Sequence, residues 1–381
     1  MLRVVFFRLS HRRSRTNSFV SSLTSNSIQR TAVCVLCTGI MLCVSTRVFA
    51  QQYQQTNLVS DVPGMAPVTD SSLVNPWGLT SSSTSPWWVA DNGAGVSTLY
   101  NGAGQKLALT VTIPPPAGGT PPSAPTGVVF NGNSSDFGGA HFIFVTEDGT
   151  ISGWSSGTAA VLEFTSPTKA IYKGATIAQV SGVNFLYVAN FFNGSVDVFD
   201  TSYAPTSVPA GAFTDPNIPK GFAPFNVQNI GGNIFVAFAE QGADKHDEVH
   251  GRKLGFVDVF NSNGTLLQRF EHGPWMNAPW GLALAPAGFG KASGELLVGM
   301  FGSGQIATFD AASGEFEGLL RAPRGQPIEI EGLWALRFGN GANAGPLTTL
   351  FFTAGIDDEQ HGLFGKITAI PKKDDDDDDD G

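Results

Sequence analysis

Seven consecutive residues, Asp244-Lys-His-Asp-Glu-Val-His250, carry two imidazoles and three carboxylates. His246 and His250 stand four apart, the spacing at which two imidazoles share a helix face and grip a transition metal. The order is not His-Glu-x-x-His, however, and nothing around the segment predicts a helix. The cluster is read as a solvated lid or binding loop, with His246, Asp247, Glu248 and His250 as its ligand-contacting groups. His361, just after Asp357-Asp-Glu-Gln360, is a further imidazole beside carboxylates. It is placed either for general-base work or as an ordinary turn residue.

A second set is rich in oxygen but scattered along the chain: Asn75, Glu147, Asn190, Asn226, Glu240, Asn277, Glu331 and Asp357. Taken singly, such residues cap their own turns and tolerate left-handed backbone. Brought together on one axis, they would suit a hard cation such as Ca²⁺, which takes six to eight oxygens at about 2.3–2.6 Å. Such an ion can act as a Lewis acid on a carbonyl. No Gly-x-Ser-x-Gly elbow, phosphate-binding loop or dinucleotide fingerprint stands in a strand-turn-helix context.

What would bring these residues together is a repeat. A short apolar strand recurs as Asn75-Pro-Trp-Gly-Leu79, Pro125-Thr-Gly-Val-Val-Phe130, Ala223-Pro-Phe-Asn-Val227, Ala278-Pro-Trp-Gly-Leu-Ala-Leu284 and Glu331-Gly-Leu-Trp-Ala-Leu336, with a weaker copy at Tyr172-Lys-Gly-Ala-Thr-Ile-Ala178. Aligning Trp77, Gly127, Ala175, Asn226, Trp280 and Trp334 gives steps of 50, 48, 51, 54 and 54 residues, the size of a propeller blade. Second strands follow near 87–90, 141–146, 185–189, 234–239, 295–299 and 349–353. Third strands alternate with period two, as in Val196-Asp-Val-Phe199 and Val257-Asp-Val-Phe260. Fourth strands are expected at 106–113, 160–164, 265–270 and 318–321, and residues 57–62 are expected to pair with the last blade and close the ring. The expectation is an all-β, six-bladed β-propeller of four-stranded blades, a closed form that protects its sheet edges. A β-sandwich pair would not repeat at a constant step, and a parallel β-helix needs a shorter one. Trp77, Trp280 and Trp334 are expected to pack between blades, and Trp87, Trp88, Trp154 or Trp275 to pack likewise or to stack on a flat ligand. The loops from second to third strand, and those leading into the first, then share one oxygen-rich face.

Residues 1–50 differ from the rest. They hold seven arginines and no acid, with an apolar run from Thr31 to Val44 and Val48-Phe49-Ala50 before Gln51. This is the composition of a secretory signal peptide, and 14 apolar residues are short for a spanning anchor. All three cysteines, Cys34, Cys37 and Cys43, lie within it, so the mature chain is expected to hold no disulfide, thiol nucleophile or cysteine-bound zinc. Without the leader about 15 basic residues face 32 acidic ones, a balance that repels nucleic acid and anionic membranes. Residues 51–371 form the expected propeller and 372–381, with seven aspartates, a solvated tail.

Several of these motifs together resemble one uncharacterised bacterial family. They are Asn75-Pro-Trp-Gly-Leu79, Gly95-Val-Ser-Thr-Leu-Tyr100, Thr126-Gly-Val-Val-Phe-Asn131, Glu147-Asp-Gly-Thr-Ile151, Leu186-Tyr-Val-Ala-Asn-Phe191, Lys245-His-Asp-Glu-Val249 and Gly362-Leu-Phe-Gly365. The family is the conserved hypothetical one of species with the PEP-CTERM protein-sorting system, whose members look like NHL-type propellers. The resemblance spans roughly residues 55–370 and implies a fold, with no established activity. The Pro-Glu-Pro signal, apolar C-terminal helix and arginine cluster of that system are not among these residues, so sorting to a membrane by that route is not expected. The combined expectation is a secreted or periplasmic propeller with no membrane span after signal cleavage. Its polar face would bind a small molecule, a glycan or a protein. The alternative is a Ca²⁺-dependent, lactonase-like hydrolase or lyase built on the eight oxygen-bearing residues.

Overall fold

The computed structural model describes residues 52–371; the leader, its cysteines and the aspartate run lie outside the described residues. Strands dominate, with three short 3₁₀ turns between them, grouped into six sheets. Blade 1 comprises Pro76–Thr80, Trp87–Asp91, Val96–Tyr100 and Lys106–Thr112. Blade 2 comprises Pro125–Phe130, Phe142–Thr146, Thr150–Trp154 and Val161–Thr165. Blade 3 is Tyr172–Val180, Val183–Asn190 and Ser195–Phe199. Blade 4 is Phe222–Ile230, Asn233–Gln241, Phe256–Phe260 and Leu266–Arg269. Blade 5 is Pro279–Leu284, Leu296–Met300, Ile306–Phe309 and Phe316–Leu319. Blade 6 is Leu333–Phe338, Leu350–Ile356 and His361–Ala369, completed by Tyr53–Ser60.

The first strand of each blade touches the first strands of both neighbours, and blade 6 returns to blade 1, so the six sheets form a closed ring. Closure is made by the N-terminal strand, whose antiparallel register runs from Tyr53 opposite Ala369 to Ser60 opposite Leu363. The expected pairing of residues 57–62 with the last blade is thus found, starting four residues earlier and ending two residues earlier. The six-bladed propeller is the observed fold, with one correction. Blade 3 has three strands, and a single bridge from Phe199 to Pro205 stands where a fourth would run. Proline lacks the amide proton that a full ladder requires. No helix among the described residues is long and apolar enough to cross a membrane.

The recurring X-Gly step of the first strands has a packing cause. A β-carbon on Gly78 would meet the Thr126 carbonyl oxygen of blade 2 at 2.4 Å, and one on Gly281 would meet the Trp334 carbonyl oxygen of blade 6 at 2.6 Å. Glycine therefore permits adjacent first strands to approach backbone to backbone. In every blade the ladder register shifts just there, after Pro76, Pro125, Tyr172, Pro224, Pro279 and Leu333. The residues that follow, Trp77, Thr126, Lys173, Phe225, Trp280 and Trp334, are the equivalent set. Gly127, Ala175 and Asn226, the points expected from the sequence repeat, lie one or two residues late. This change of register places Lys173 among the innermost side chains.

A candidate ligand site on the acidic rim

The four aromatic members of the equivalent set do not separate blades; they meet one another in one core cluster. Trp77 stacks on Trp334 with ring centres 3.5 Å apart, Trp280 stands edge-on to both, and Phe225 leans on Trp77 and Trp334. Phe301, from the loop between second and third strands of blade 5, stacks on Trp334 at 4.1 Å. These rings close the axis on one side of a small cavity that first-strand residues of all six blades line, among them Gly78, Gly127, Ala175, Asn226 and Ala335. The other tryptophans are also taken up in packing, Trp87 against Phe351, Trp88 against Phe142 and Trp154, and Trp275 against Phe316.

Lys173 is the exception in the set. Its side chain is wholly buried, with the ammonium 4.8 Å from the Trp77 ring centre and 5.9 Å from that of Phe191. Its carbonyl accepts from the Trp280 indole at 3.0 Å. An ammonium can remain there only if carboxylates surround it. Glu147 lies 2.5 Å away and Asp247 3.5 Å. Burial pulls the lysine pKa down, but Glu147, Glu248 and Asp247 outweigh it and hold the pKa above the ordinary value.

From this pair a hydrogen-bonded chain crosses four blades. Glu147 accepts from the Asn92 amide at 2.9 Å, and Asn92 in turn accepts from Asn75 at 3.4 Å. Asn75 donates to Glu359 at 2.7 Å and is itself held by the Trp334 indole at 3.1 Å. Asn75 adopts a φ of +44°, a left-handed conformation that asparagine accepts more readily than most residues. On the far side, Asp247 pairs with His246 at 2.7 Å, which lowers the aspartate and raises the imidazole. Burial pushes Glu248 up, and it pushes Glu359 up to about 7 with help from the charges of Glu248 and Glu147.

Beside this chain, against Phe301, opens a cavity of about 550 Å³. Its walls are the 242–254 insertion (Asp247, Glu248, His250), the loop around Phe301, the approach to blade 6 (Glu329, Glu331) and the turn carrying Asp358 and Glu359.

The expected site residues therefore divide. Asn75, Glu147, His246, Asp247, Glu248, His250 and Glu331 belong to the chain or to the cavity wall. Asp357, with φ +55°, donates its backbone amide to Glu331 at the cavity's edge. Asn190 is turned into blade 3, donating to Asp197 at 2.8 Å. Asn226 clamps blade 4 to blade 5 through the Trp280 carbonyl at 2.7 Å. Asn277 accepts from the Gly251 amide and ties the insertion to blade 5. Glu240 continues the second strand of blade 4 opposite Val249. His361 bonds outward to Asp61 at 2.7 Å and lies 3.9 Å from Asp357. The eight oxygen-bearing residues thus do not converge on one axial point, because their amides are taken up by carbonyls, amides and carboxylates of neighbouring strands and loops.

One tighter group, Glu147, His246 and Asp247, places its ligand atoms within 4.8 Å of one another. It does not fit Ca²⁺ or another divalent ion. The Lys173 ammonium already stands among these carboxylates, wholly buried, and a second cation would sit directly against it. Lys173 and Phe301 escaped sequence reasoning. For Lys173 the missed signal was the residue before the repeated glycine.

No protein-family signature matches the chain. Two uncharacterised proteins of Acanthamoeba polyphaga mimivirus are each 29% identical to it, over 327 residues (81% of this chain, 78% of the relative) and over 330 residues (81% and 84%). Among solved structures it is similar to a streptogramin B lyase (14% identity, TM-score 0.49, 84% of this chain and 98% of that one). It is also similar to virginiamycin B lyase from Staphylococcus aureus (13%, 0.46, 84% and 100%) and to a glucose dehydrogenase (13%, 0.49, 84% and 99%).

Proposed function

We propose that this chain is an exported β-propeller that holds a small ligand in its rim cavity. One observation carries the reading: a cavity of about 550 Å³ lies against the Phe301 ring, itself stacked on Trp334, and is walled by polar groups from three blades. Pockets of roughly 300–1,000 Å³ suit small molecules or a sugar-sized group, and a concave wall suits these better than a flat protein surface. The competing metal-dependent hydrolase or lyase would require Lys173 to leave the carboxylates it neutralises. The acidic balance of the chain speaks against nucleic acid as partner. Export rests on the arginine-rich, acid-free composition of residues 1–50.

A thermal-shift screen tests the reading, because a ligand that binds only the folded form raises its melting temperature. Glu329, exposed at the mouth, is replaced in a parallel sample by Glu329→Trp. Hits against the native chain that vanish in this variant are expected; hits that persist place the ligand elsewhere. For export, protein recovered outside the cytosol is expected to begin at Gln51.

A further inference from the structure

The cavity has an unbalanced charge. Six of its lining residues are carboxylates and none is lysine or arginine. The neighbouring lysine is spent, since Lys173 is buried against Glu147 and reaches Asp247 only at 3.5 Å. Most of the acids have donors of their own: Glu359 has Asn75, Glu331 has the Asp357 amide and Glu329 has Gln305. Glu248 differs. It is half-buried within the insertion, lines the cavity, and its carboxyl accepts only from its own backbone amide. Lys173 attracts it, but that ammonium lies against Glu147, so this half-buried acid, without a neighbouring donor, is open to a partner of opposite charge.

The chain itself shows what such a partner looks like. Next door, the Lys173 ammonium rests over the Trp77 ring and against a carboxylate. The cavity repeats both elements, an aromatic ring in Phe301 and acids in Glu248 and Glu359, without a cation of the chain's own. Resting on the ligand-site reading above, we propose that the ligand is a small organic cation, an aliphatic amine whose ammonium seats between Glu248, Glu359 and the Phe301 ring. Ring quadrupole and carboxylates would favour it together, as they do for a desolvated lysine.

Isothermal titration of the purified chain with three probes of equal length tests this: 1,5-diaminopentane, 1,5-pentanediol and glutarate. The diamine is expected to bind, the other two to give no heat, and added salt to weaken binding. Glu248→Gln is expected to weaken the diamine by about tenfold or more, the worth of one charge-assisted hydrogen bond. Should that variant fail to fold, Glu331→Gln, which keeps the acceptor for the Asp357 amide, is expected to weaken it also. Diamine binding that survives Glu248→Gln, Glu331→Gln and Glu329→Trp alike would be surface attraction and overturns the proposal. If the diol or glutarate binds, is blocked by Glu329→Trp, and the diamine does not bind, the cavity reading stands and the cation is wrong. If no probe binds and the thermal-shift screen is also empty, both fail together.

Discussion

Glu359 on the rim and Asp258 inside blade 4 share one property and differ in almost every other. Burial pushes each carboxyl up to about 7, and in each case neighbouring acids push further. Asp258 is 2% exposed, opposite Arg269 in the ladder, where Arg269 grips Asp215 with two nitrogens at 2.5 and 2.8 Å. There the acid is sealed in the sheet and the cation, about half-exposed, comes from solvent. On the rim the arrangement is inverted: the cation, Lys173, is sealed and the acids open on a cavity. A closed acid with its cation outside stabilises a blade edge. Open acids around a buried cation leave negative charge facing a space that a ligand can enter.

The largest test of this contrast removes the sealed cation. Lys173→Met keeps the side chain's length but leaves Glu147 and Asp247 without their ammonium. Breaking a buried pair from one side costs about 3–5 kcal/mol, read as a lower midpoint in urea unfolding. Adding Glu147→Gln to that variant is expected to recover most of the loss, since both partners are then neutral. A Lys173→Met protein as stable as the native one would mean that the lysine is not the counter-charge of the rim.

Next in size is the pH dependence of the two raised acids. A carboxyl whose folded pKa exceeds its unfolded value binds more protons when folded, so stability falls as pH rises from about 4 to about 7 and is level above that. At pH 8 each ionised acid costs on the order of 3–4 kcal/mol, at about 1.36 kcal/mol for each pH unit between its ordinary and its raised value. Glu359→Gln and Asp258→Asn are each expected to stabilise the protein at pH 8 and to leave it unchanged at pH 4. The comparison sharpens with ligand. A bound amine is expected to lower the Glu359 pKa and to leave Asp258 where it was, as followed by carboxyl chemical shifts. Equal movement of both acids would erase the distinction between open and closed.

How far the sequence discloses these two regions depends on what each is made of. Third strands such as Val257-Asp-Val-Phe260 alternate apolar and polar residues, so the strand at 256–260 follows from pattern alone, whereas the burial of Asp258 does not, because alternation places it on the open face. The propeller itself shows in Pro-Trp-Gly-Leu and its copies because close approach of first strands favours glycine at one point, met in four blades by Gly78, Gly127, Gly174 and Gly281. The rim is only half legible. Glu147, Asp247 and Glu248 stand out by type and by their loops, whereas Lys173 is hidden inside a strand whose aromatic counterpart was replaced. Asn226 and Asn277 look like ligands in sequence but spend their amides on the Trp280 carbonyl and the Gly251 amide. Only packed neighbours reveal that.

The smallest effect belongs to the half-exposed cation of the closed region. Arg269→Ala removes both hydrogen bonds that hold Asp215 below its ordinary value. A lowered carboxyl contributes stability that is present above its unfolded pKa and is lost as pH falls through its folded one. The native chain is therefore expected to keep this contribution down to a lower pH than the variant, and the two melting curves should separate only modestly near neutrality. The same substitution removes the charge that restrains Asp258, whose pKa is then expected to rise further above 7. Lysine is not an equivalent replacement, because its single ammonium cannot reproduce the two-point grip on Asp215. If Arg269→Ala instead cost as much as Lys173→Met, the exposed cation would matter as much as the buried one, and burial would not be what separates the two regions.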